Sequence, residues 1–323
     1  MRAGAVPRAR RVLPALALGF ACNAHSAAPN DAMVWLSRAA AAAREATYEG
    51  VYVHVNGDRI STVRIAHVNQ ALEEHERIEP LDGAGVEIVR RNEERYCRFP
   101  DKTVKLDPRV TNRFFPGILA GSAETIATSY EVTLGPTERV LGYECQWIKL
   151  DPRDELRFAQ RVCAESATGL IVRAKVLNSQ RHAIEQYTFT ELKIGAARSD
   201  LRSIFKARSR QWVSDGQARD ETSSAETGWM PAKVPFGFQK VAEMKRTLPG
   251  RPAAVAQIVL SDGVASLSVF VEPAPTARRV ETASQEGTTA FYSRPEGDQV
   301  VSVLGEVPLA TAQLVARSVT RRP

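Results

Sequence analysis

The sequence predicts a mainly β, α+β fold: a large antiparallel sheet carrying one packed helix, followed by a smaller α+β domain. Three observations lead there. Runs of branched and aromatic residues recur between Gly, Pro, Asn and Asp clusters, with Asn56-Gly57 and Asp262-Gly263 marking tight hairpins. Roughly ten such runs follow one leading helical segment with almost no helix between them, and short connections join strands antiparallel. From Ala196 to Thr227 the text turns small and charged, ending Asp220-Glu-Thr-Ser-Ser-Ala-Glu-Thr227, as a linker does.

The chain has 323 residues, 44% hydrophobic and 25% charged, enough for two ordinary cores. Its first 27 residues are a different text. Arg2, Arg8, Arg10 and Arg11 precede the apolar run Val12–Ala21, and small residues follow at Ala24, Ser26, Ala27 and Ala28. That order is a secretory signal, and the apolar run is too short to span a bilayer. Cys22 makes a poor lipoprotein box behind Phe20-Ala21. Losing the signal removes four arginines and no acids, lowering the formal charge from +6 to +2. So weak a charge gives no footing for nucleic-acid binding. The expected division is a signal at 1–27, a first domain at 28–195, a linker at 196–227 and a second domain at 228–323.

Taken in order, Asn30 or Asp31 is placed to cap a helix running to about Ala46, since both accept bonds from first-turn N–H groups. Trp35, Ala39, Ala42 and Ala46 share one face of it, and its many alanines let it lie close on a sheet. Tyr48–Val55 and Ile60–His67 form the Asn-Gly hairpin. Leu72–Ile78, Val86–Arg91, Arg95–Phe99, Thr103–Leu106 and Tyr130–Leu134 continue as short strands. Glu73, Glu74, Glu76 and Glu79 alternate with basic residues, the pattern of a solvated charged face.

Tyr143–Leu150 and Leu156–Cys163 flank the turn cluster Asp151-Pro-Arg-Asp-Glu155. Folded symmetrically about Asp154, this hairpin sets Cys145 opposite Cys163, and facing Cβ atoms lie roughly 4.5–5.5 Å apart. A disulfide needs about 3.5–4.5 Å, within a small adjustment. Export favours the pair Cys145–Cys163, with Cys97 left as a thiol; three buried thiols are the alternative. Leu170–Leu177 alternates apolar and polar residues as a half-buried strand does, and His182–Ile194 adds another.

Asn112-Arg-Phe-Phe-Pro-Gly-Ile-Leu-Ala-Gly121 interrupts the strands with an apolar loop. Phe114, Phe115, Ile118 and Leu119 either plug a concave sheet or wall a hydrophobic pocket. In the second domain, Gln239–Thr247, the Asp-Gly hairpin Ala254–Ser261 and Val264–Glu272, Thr288–Tyr292 and Gln299–Leu304 read as strands. Pro308 at the first helical position opens a closing helix over Leu309–Val319. Trp229, Phe236 and Phe238 sit in a Pro/Gly-rich segment, with Lys240, Lys245, Arg246 and Arg251 near in sequence. They either close the domain's own core or anchor a protein partner, as aromatic and arginine side chains often do.

Catalytic signatures are missing. There is no H-E-x-x-H, no G-x-S-x-G and no C-x-x-C, and Gly83-Ala84-Gly85 lacks the third glycine and following helix of a nucleotide loop. The expectation is a binding protein, not an enzyme, with no cofactor and no metal.

With these residues laid out, the chain resembles the RseB/MucB family of periplasmic sigma-E regulators. The likeness rests on Trp229-Met-Pro231, Pro235-Phe-Gly-Phe238, Arg246-Thr-Leu-Pro249, Leu260-Ser-Asp-Gly-Val-Ala-Ser-Leu-Ser-Val269 and Val303-Leu-Gly-Glu-Val-Pro-Leu-Ala-Thr-Ala312. Tyr48-Glu-Gly-Val-Tyr-Val53, Phe115-Pro-Gly-Ile118 and Thr168-Gly-Leu-Ile171 add to it in the first domain. The resemblance implies a LolA-like curved sheet around a hydrophobic cavity, joined to a smaller domain that meets an anti-sigma factor. It implies binding to the periplasmic domain of a RseA/MucA-like anti-sigma factor, protection of that partner from proteolysis, and release by lipid or a lipopolysaccharide fragment. The corresponding residues would be a lipid pocket at Trp35, Phe114, Phe115, Ile118 and Leu119, and a partner surface at Trp229, Phe236, Phe238 and Arg246. A simple LolA-like lipid or lipoprotein carrier is the rival reading, and a homo-oligomer is left open.

Overall fold

The computed structural model describes Met1 and residues 29–70, 73–83, 85–106, 114–195, 226–246, 253–274 and 280–322. The expected signal at 1–27 lies outside them, as do residues 196–225 of the expected linker. Thr227 is already folded into the second domain, where its N–H and hydroxyl donate to Glu243 Oε1 at 2.8 and 2.9 Å.

Helix α1 (Pro29–Glu45) begins at proline, whose fixed φ suits the first turn, so Asn30 and Asp31 lie inside the helix and not ahead of it. Eleven strands follow: β1 (Tyr48–Asn56), β2 (Arg59–Gln70), β3 (Glu73–Pro80), β4 (Glu87–Arg91), β5 (Glu94–Arg98), β6 (Thr103–Leu106), β7 (Tyr130–Val140), β8 (Tyr143–Pro152), β9 (Ala159–Glu165), β10 (Ile171–Leu177) and β11 (Ala183–Ile194). They form one antiparallel sheet in the order β6-β5-β4-β3-β2-β1-β11-β10-β9-β8-β7. Each hairpin pairs with its sequence neighbour, and β1 closes on β11 to join the two runs. The short helix α2 (Ala123–Ser129) precedes β7; Ser122 caps it by accepting from Thr125 N at 3.2 Å. The sequence pattern predicts no helix here.

The sheet bends around α1. Leu36, Ala39 and Ala42 are buried, and the helix packs on β2, β7, β8 and β10. Tyr143 at the start of β8 exchanges hydrogen bonds with Leu192 O and Ile194 N on β11, at 3.4 Å each. Those strands are three places apart in the sheet, about 14 Å when flat, beyond a tyrosine's reach. Only a sheet curled over the β9–β10 turn brings them together.

The β8–β9 register is shifted by two from the symmetric expectation: Cys145 faces Glu165 and Trp147 faces Cys163. The two cysteines are therefore diagonal neighbours on one face, and they are joined as a disulfide with Cα atoms 5.4 Å apart. The shift arises because Leu156, Arg157 and Phe158 leave the ladder; Arg157 is held in the turn by Asp154, at 3.0 Å from each of its carboxylate oxygens. Cys97 is a half-buried thiol.

The charged face on β3–β5 is less solvated than expected. Arg77 and Arg98 grip Glu87, and Arg90 grips Glu74 and Glu76, with all six side chains no more than a fifth exposed. His67 lies fully buried behind this network, stacked on Tyr48 at 5.1 Å, donating from Nδ1 to Ala46 O at 2.6 Å and meeting Glu74 Oε1 at 3.0 Å.

The second domain opens with β12 (Trp229–Pro231) and continues with β13 (Gln239–Arg246), β14 (Val255–Ser261), β15 (Ser266–Pro273), β16 (Thr282–Glu286), β17 (Thr289–Glu296) and β18 (Gln299–Glu306). Helix α3 (Leu309–Arg317) and β19 (Val319–Arg321) close it. Strands β13 to β18 form a six-stranded sheet ordered β13-β14-β15-β18-β17-β16, and β12 pairs with β19. Pro308 is extended at ψ 145° and sits just outside α3 as its N-cap, not inside it. Ala312, Val315 and Ala316 of α3 fill the core with Ile258, Val269, Val301 and Val303. Among the described residues no helix is long and apolar enough to cross a membrane.

Candidate functional site

The apolar loop seen in the sequence is the plug of the first domain. Phe115 stacks on Tyr187 (5.2 Å, 9°) and meets Tyr52 edge-on at 5.0 Å and Phe189 at 5.1 Å. Phe115 and Leu119 are fully buried, while Trp35, Phe114 and Ile118 pack half-buried on the same core. The Trp35 ring also lies under the Arg38 guanidinium at 4.8 Å. Gly50 is required beneath this cluster, because a Cβ there would stand 2.9 Å from the Phe189 ring.

The plug continues directly into the second domain. Ala120 N and Gly121 N both donate to Gly263 O, at 2.7 and 2.9 Å. Gly121 and Gly263 approach so closely that a Cβ on Gly263 would lie 2.8 Å from Gly121 Cα. The Asp262-Gly263 turn, read from sequence only as a hairpin signal, is thus an inter-domain contact.

Arg157 is the centre of that contact. Its Nη1 donates to Asp262 Oδ2 at 2.7 Å and its Nη2 to Phe236 O at 2.6 Å, and its guanidinium lies 5.1 Å from the Phe238 ring centre. Neither Arg157 nor Asp262 has exposed side-chain surface. Tyr130 Oη also donates to Asp262 Oδ2, at 3.3 Å. Burial raises the Asp262 carboxyl above its ordinary range, in spite of Arg157 and of the N–H groups of Val264 and Ala265. Thr311 Oγ1 donates to Leu156 O at 2.7 Å, so α3 joins the same junction.

A second contact forms at the other end. Glu185 on β11 accepts from Tyr187 Oη and from Thr288 Oγ1 of the second domain, each at 2.7 Å, and pairs with His54 Nε2 at 2.7 Å. Burial works against its charge, but these three bonds outweigh it and hold the carboxyl below its usual range. Arg59 and Glu286 bridge the domains nearby at 2.6 Å. Between the two contacts lies a cavity of about 370 Å³, walled by Ile118, Leu119, Phe158 and Tyr187 from one side and by Val241 and Val259 from the other.

The residues expected at a partner surface are divided. The Phe236 ring is 75% exposed, while Phe238 is buried with Arg157 over it. Trp229 and Phe238 line a smaller cavity of about 250 Å³ with Met230 and Lys240, and Arg321 lies over the Trp229 ring at 5.2 Å. Arg246 stands apart at the end of β13, donating to Gln257 Oε1 at 3.0 Å. Sequence reasoning missed Arg157, Asp262, Glu185 and Thr288 as site residues. Each pairs with a residue about a hundred positions away, and no local pattern announces such a pair. Among the described residues no group of three His, Cys, Asp or Glu could hold a metal ion.

Comparison with known proteins matches both halves of the chain. The MucB/RseB N-terminal domain matches residues 31–214 and the MucB/RseB C-terminal domain residues 223–320. The sigma factor AlgU regulatory protein MucB of Pseudomonas aeruginosa is 31% identical over 297 residues, 90% of either chain. The sigma-E factor regulatory protein RseB of Salmonella typhimurium is 24% identical over 317 residues, 96% of either chain. Among solved structures, the complex of P. aeruginosa MucA/MucB superposes with a TM-score of 0.71 at 29% identity, over 91% of this chain and 99% of that one. A crystal structure of MucB superposes with a TM-score of 0.65 at 26% identity, over 91% and 98%. With both domains matched along nearly their whole length, the chain belongs to the MucB/RseB family.

Proposed function

We propose that this chain is a periplasmic regulator of a sigma-E-type envelope-stress response. It holds the periplasmic domain of a RseA/MucA-like anti-sigma factor, shields it from regulated proteolysis, and lets go when a lipid or lipopolysaccharide fragment binds. The observation that carries this reading is the two-domain likeness to MucB in its complex with MucA, which spans 99% of that chain. A simple carrier would need only the first domain.

The plug supplies a physical route for release. Phe115 and Leu119 fill the space beneath α1, so an acyl chain enters only by displacing them. Unburying two such side chains costs about 3–6 kcal/mol, and each buried methylene returns about 0.8 kcal/mol, so a chain of roughly eight carbons offsets the loss. Since Gly121 is bonded to Gly263, lifting the plug loosens the domain contact. Release then follows from differential affinity: lipid and partner favour different domain arrangements, and each weakens the other by the same factor.

The test is retention of the anti-sigma factor's periplasmic domain on the immobilised mature protein, with and without lipopolysaccharide fragments. Retention that is lost on adding lipid is expected. A protein that never retains the partner removes the regulatory reading, and retention indifferent to lipid removes the sensing half.

A further inference from the structure

One guanidinium of the first domain lacks a counter-charge. Arg95 lies on β5, directly opposite Arg90 on β4 and Leu106 on β6. Its Nε is buried without a hydrogen bond, and among the described residues no carboxylate forms an ion pair with it. Arg90 beside it already holds Glu74 and Glu76, at 2.5 and 3.3 Å. Like charges directly opposite each other on a sheet repel. Burial, and after it the charge on Arg90, make Arg95 less basic than an ordinary arginine, although Glu76, Glu74 and Glu93 act the other way.

The surroundings have two chemistries. Arg95 belongs to a polar row that crosses the inner face of the sheet as His67, Glu76, Arg90 and Arg95, each opposite the next. Two residues along the strands, about 7 Å away, runs a second row of Ile65, Ile78, Ile88, Cys97 and Val104. Every member of that row is apolar, and burial pushes the Cys97 thiol up, keeping it neutral. Ile65 and Ile78 belong to the same core as Phe115 and Leu119, whereas Ile88, Cys97, Val104 and Leu106 are only half-buried. Apolar surface left part-open beside an uncompensated cation is a mismatch that a ligand carrying both chemistries removes.

An anion at Arg95 gains a charge-assisted fork, and a hydrocarbon chain attached to it covers the apolar row. A neutral or cationic head leaves the guanidinium as it was. A head with two negative charges meets the field of Glu74, Glu76 and Glu93, while Arg90 is already neutralised. One negative charge suits the place.

We propose that Arg95 anchors the singly negative headgroup of an amphiphile, a carboxylate or a phosphodiester, whose chain lies along the apolar row from Val104 toward Ile78. The proposal rests on the lipid half of the regulatory reading and adds to it a headgroup class and the residue that selects it. A chain reaching Ile78 and Ile65 arrives at the core that Phe115 and Leu119 fill, so headgroup and plug lie at two ends of one track.

Titration calorimetry on the full mature chain tests it with three probes that share one acyl chain, each below its micelle concentration: laurate, lauroyl-lysophosphatidylglycerol and neutral monolaurin. Wild type is expected to bind at least one anionic probe about tenfold or more tighter than monolaurin. The carboxylate and phosphodiester arms show which source is preferred. Arg95→Gln is expected to erase that preference and leave monolaurin binding unchanged, and Arg95→Lys to keep most of it, with thermal melts confirming that both fold. A second measurement needs no variant: laurate with a diazirine at its chain end is crosslinked to wild type and is expected to label β3 or β4. Equal affinity for all three probes, no binding of either anion, an undiminished preference in Arg95→Gln, or labelling only outside β3–β6 overturns the assignment. None of these readouts involves the anti-sigma factor, so their failure leaves partner retention standing, and a chain that never retains the partner leaves this site standing.

Discussion

Arg157 and Asp262 form a fully buried ion pair, 2.7 Å long, between residues 105 positions apart that sit in turns of different domains. Two charges removed from water are costly unless their geometry is good and their remaining valences are filled. Here Asp154 and Phe236 O take the N–H groups of Nε and Nη2, and the N–H groups of Val264 and Ala265 fill Asp262 Oδ1. The pair can hold one domain arrangement and no other. Arg157→Met alone is expected to cost about 3–5 kcal/mol, since Asp262 is left charged and unpaired. Adding Asp262→Leu should recover much of that in urea unfolding, while small-angle scattering shows a wider spread of domain positions. If the single and double variants unfold alike, the pair is not what fixes the junction.

Acid sensitivity should trace to Glu74. Burial raises its carboxyl pKa, but hydrogen bonds from His67 and Arg90, with the charge on Arg90, outweigh this and set it at about 2. The folded value lies below the unfolded one, so the stabilisation is fully present above about pH 4.5 and is lost as pH falls toward 2. Glu74→Gln should therefore be less stable than wild type at pH 7 and converge with it near pH 2. Parallel stability curves across that range would show that another carboxylate dominates the acid limb.

Much of this architecture could be read from local chemistry. Asn56-Gly57 and Asp262-Gly263 fixed two hairpins because those dipeptides accept the positive φ that tight turns need; Gly57 and Gly263 have φ of 58° and 92°. The plug was visible as Phe115-Pro-Gly-Ile118 because an apolar loop must be covered by something. What escaped was long-range. Leu156-Arg157-Phe158 reads as a strand by composition, yet Arg157 leaves the ladder for Asp154 and Asp262, and the register slips by two. β16 escapes sequence reading because Thr282-Ala-Ser-Gln-Glu286 is exposed throughout and is held mainly by pairing with β17. The seven residues of α2 follow a Ser cap too short in context to stand out. The inter-domain cavity is assembled from strands far apart in sequence, so no single stretch reveals it.

The disulfide should matter to stability more than to shape. Cys145 and Cys163 close a loop of sequence separation 18, for which constraint of the unfolded chain contributes about 3 kcal/mol. The double variant Cys145→Ala, Cys163→Ala should lose roughly that amount in urea unfolding while keeping its far-UV spectrum. Reductant should lower wild type toward the variant and leave the variant unmoved. A variant as stable as wild type would mean that the β8–β9 pairing, already fixed by its ladder, gains nothing from the bond.

The plug-to-joint connection is open to a steric test. Gly121 and Gly263 touch backbone to backbone, and Gly263 holds φ at 92°, where a side chain is strained even before it meets a neighbour. Replacing Gly263 with Val should therefore push the Asp262 turn away from Gly121 while leaving both hydrophobic cores intact, since neither glycine contributes a side chain to them. Phe115→Ala acts from the other side: it empties the plug and should cost about 3–5 kcal/mol in the first domain. If the two are linked through Ala120 and Gly121, each change alone should expose the junction to protease, and the double variant should expose it little further. Additive exposure would mean that plug and joint open independently, and then an acyl chain under α1 could not be felt at the second domain by this route.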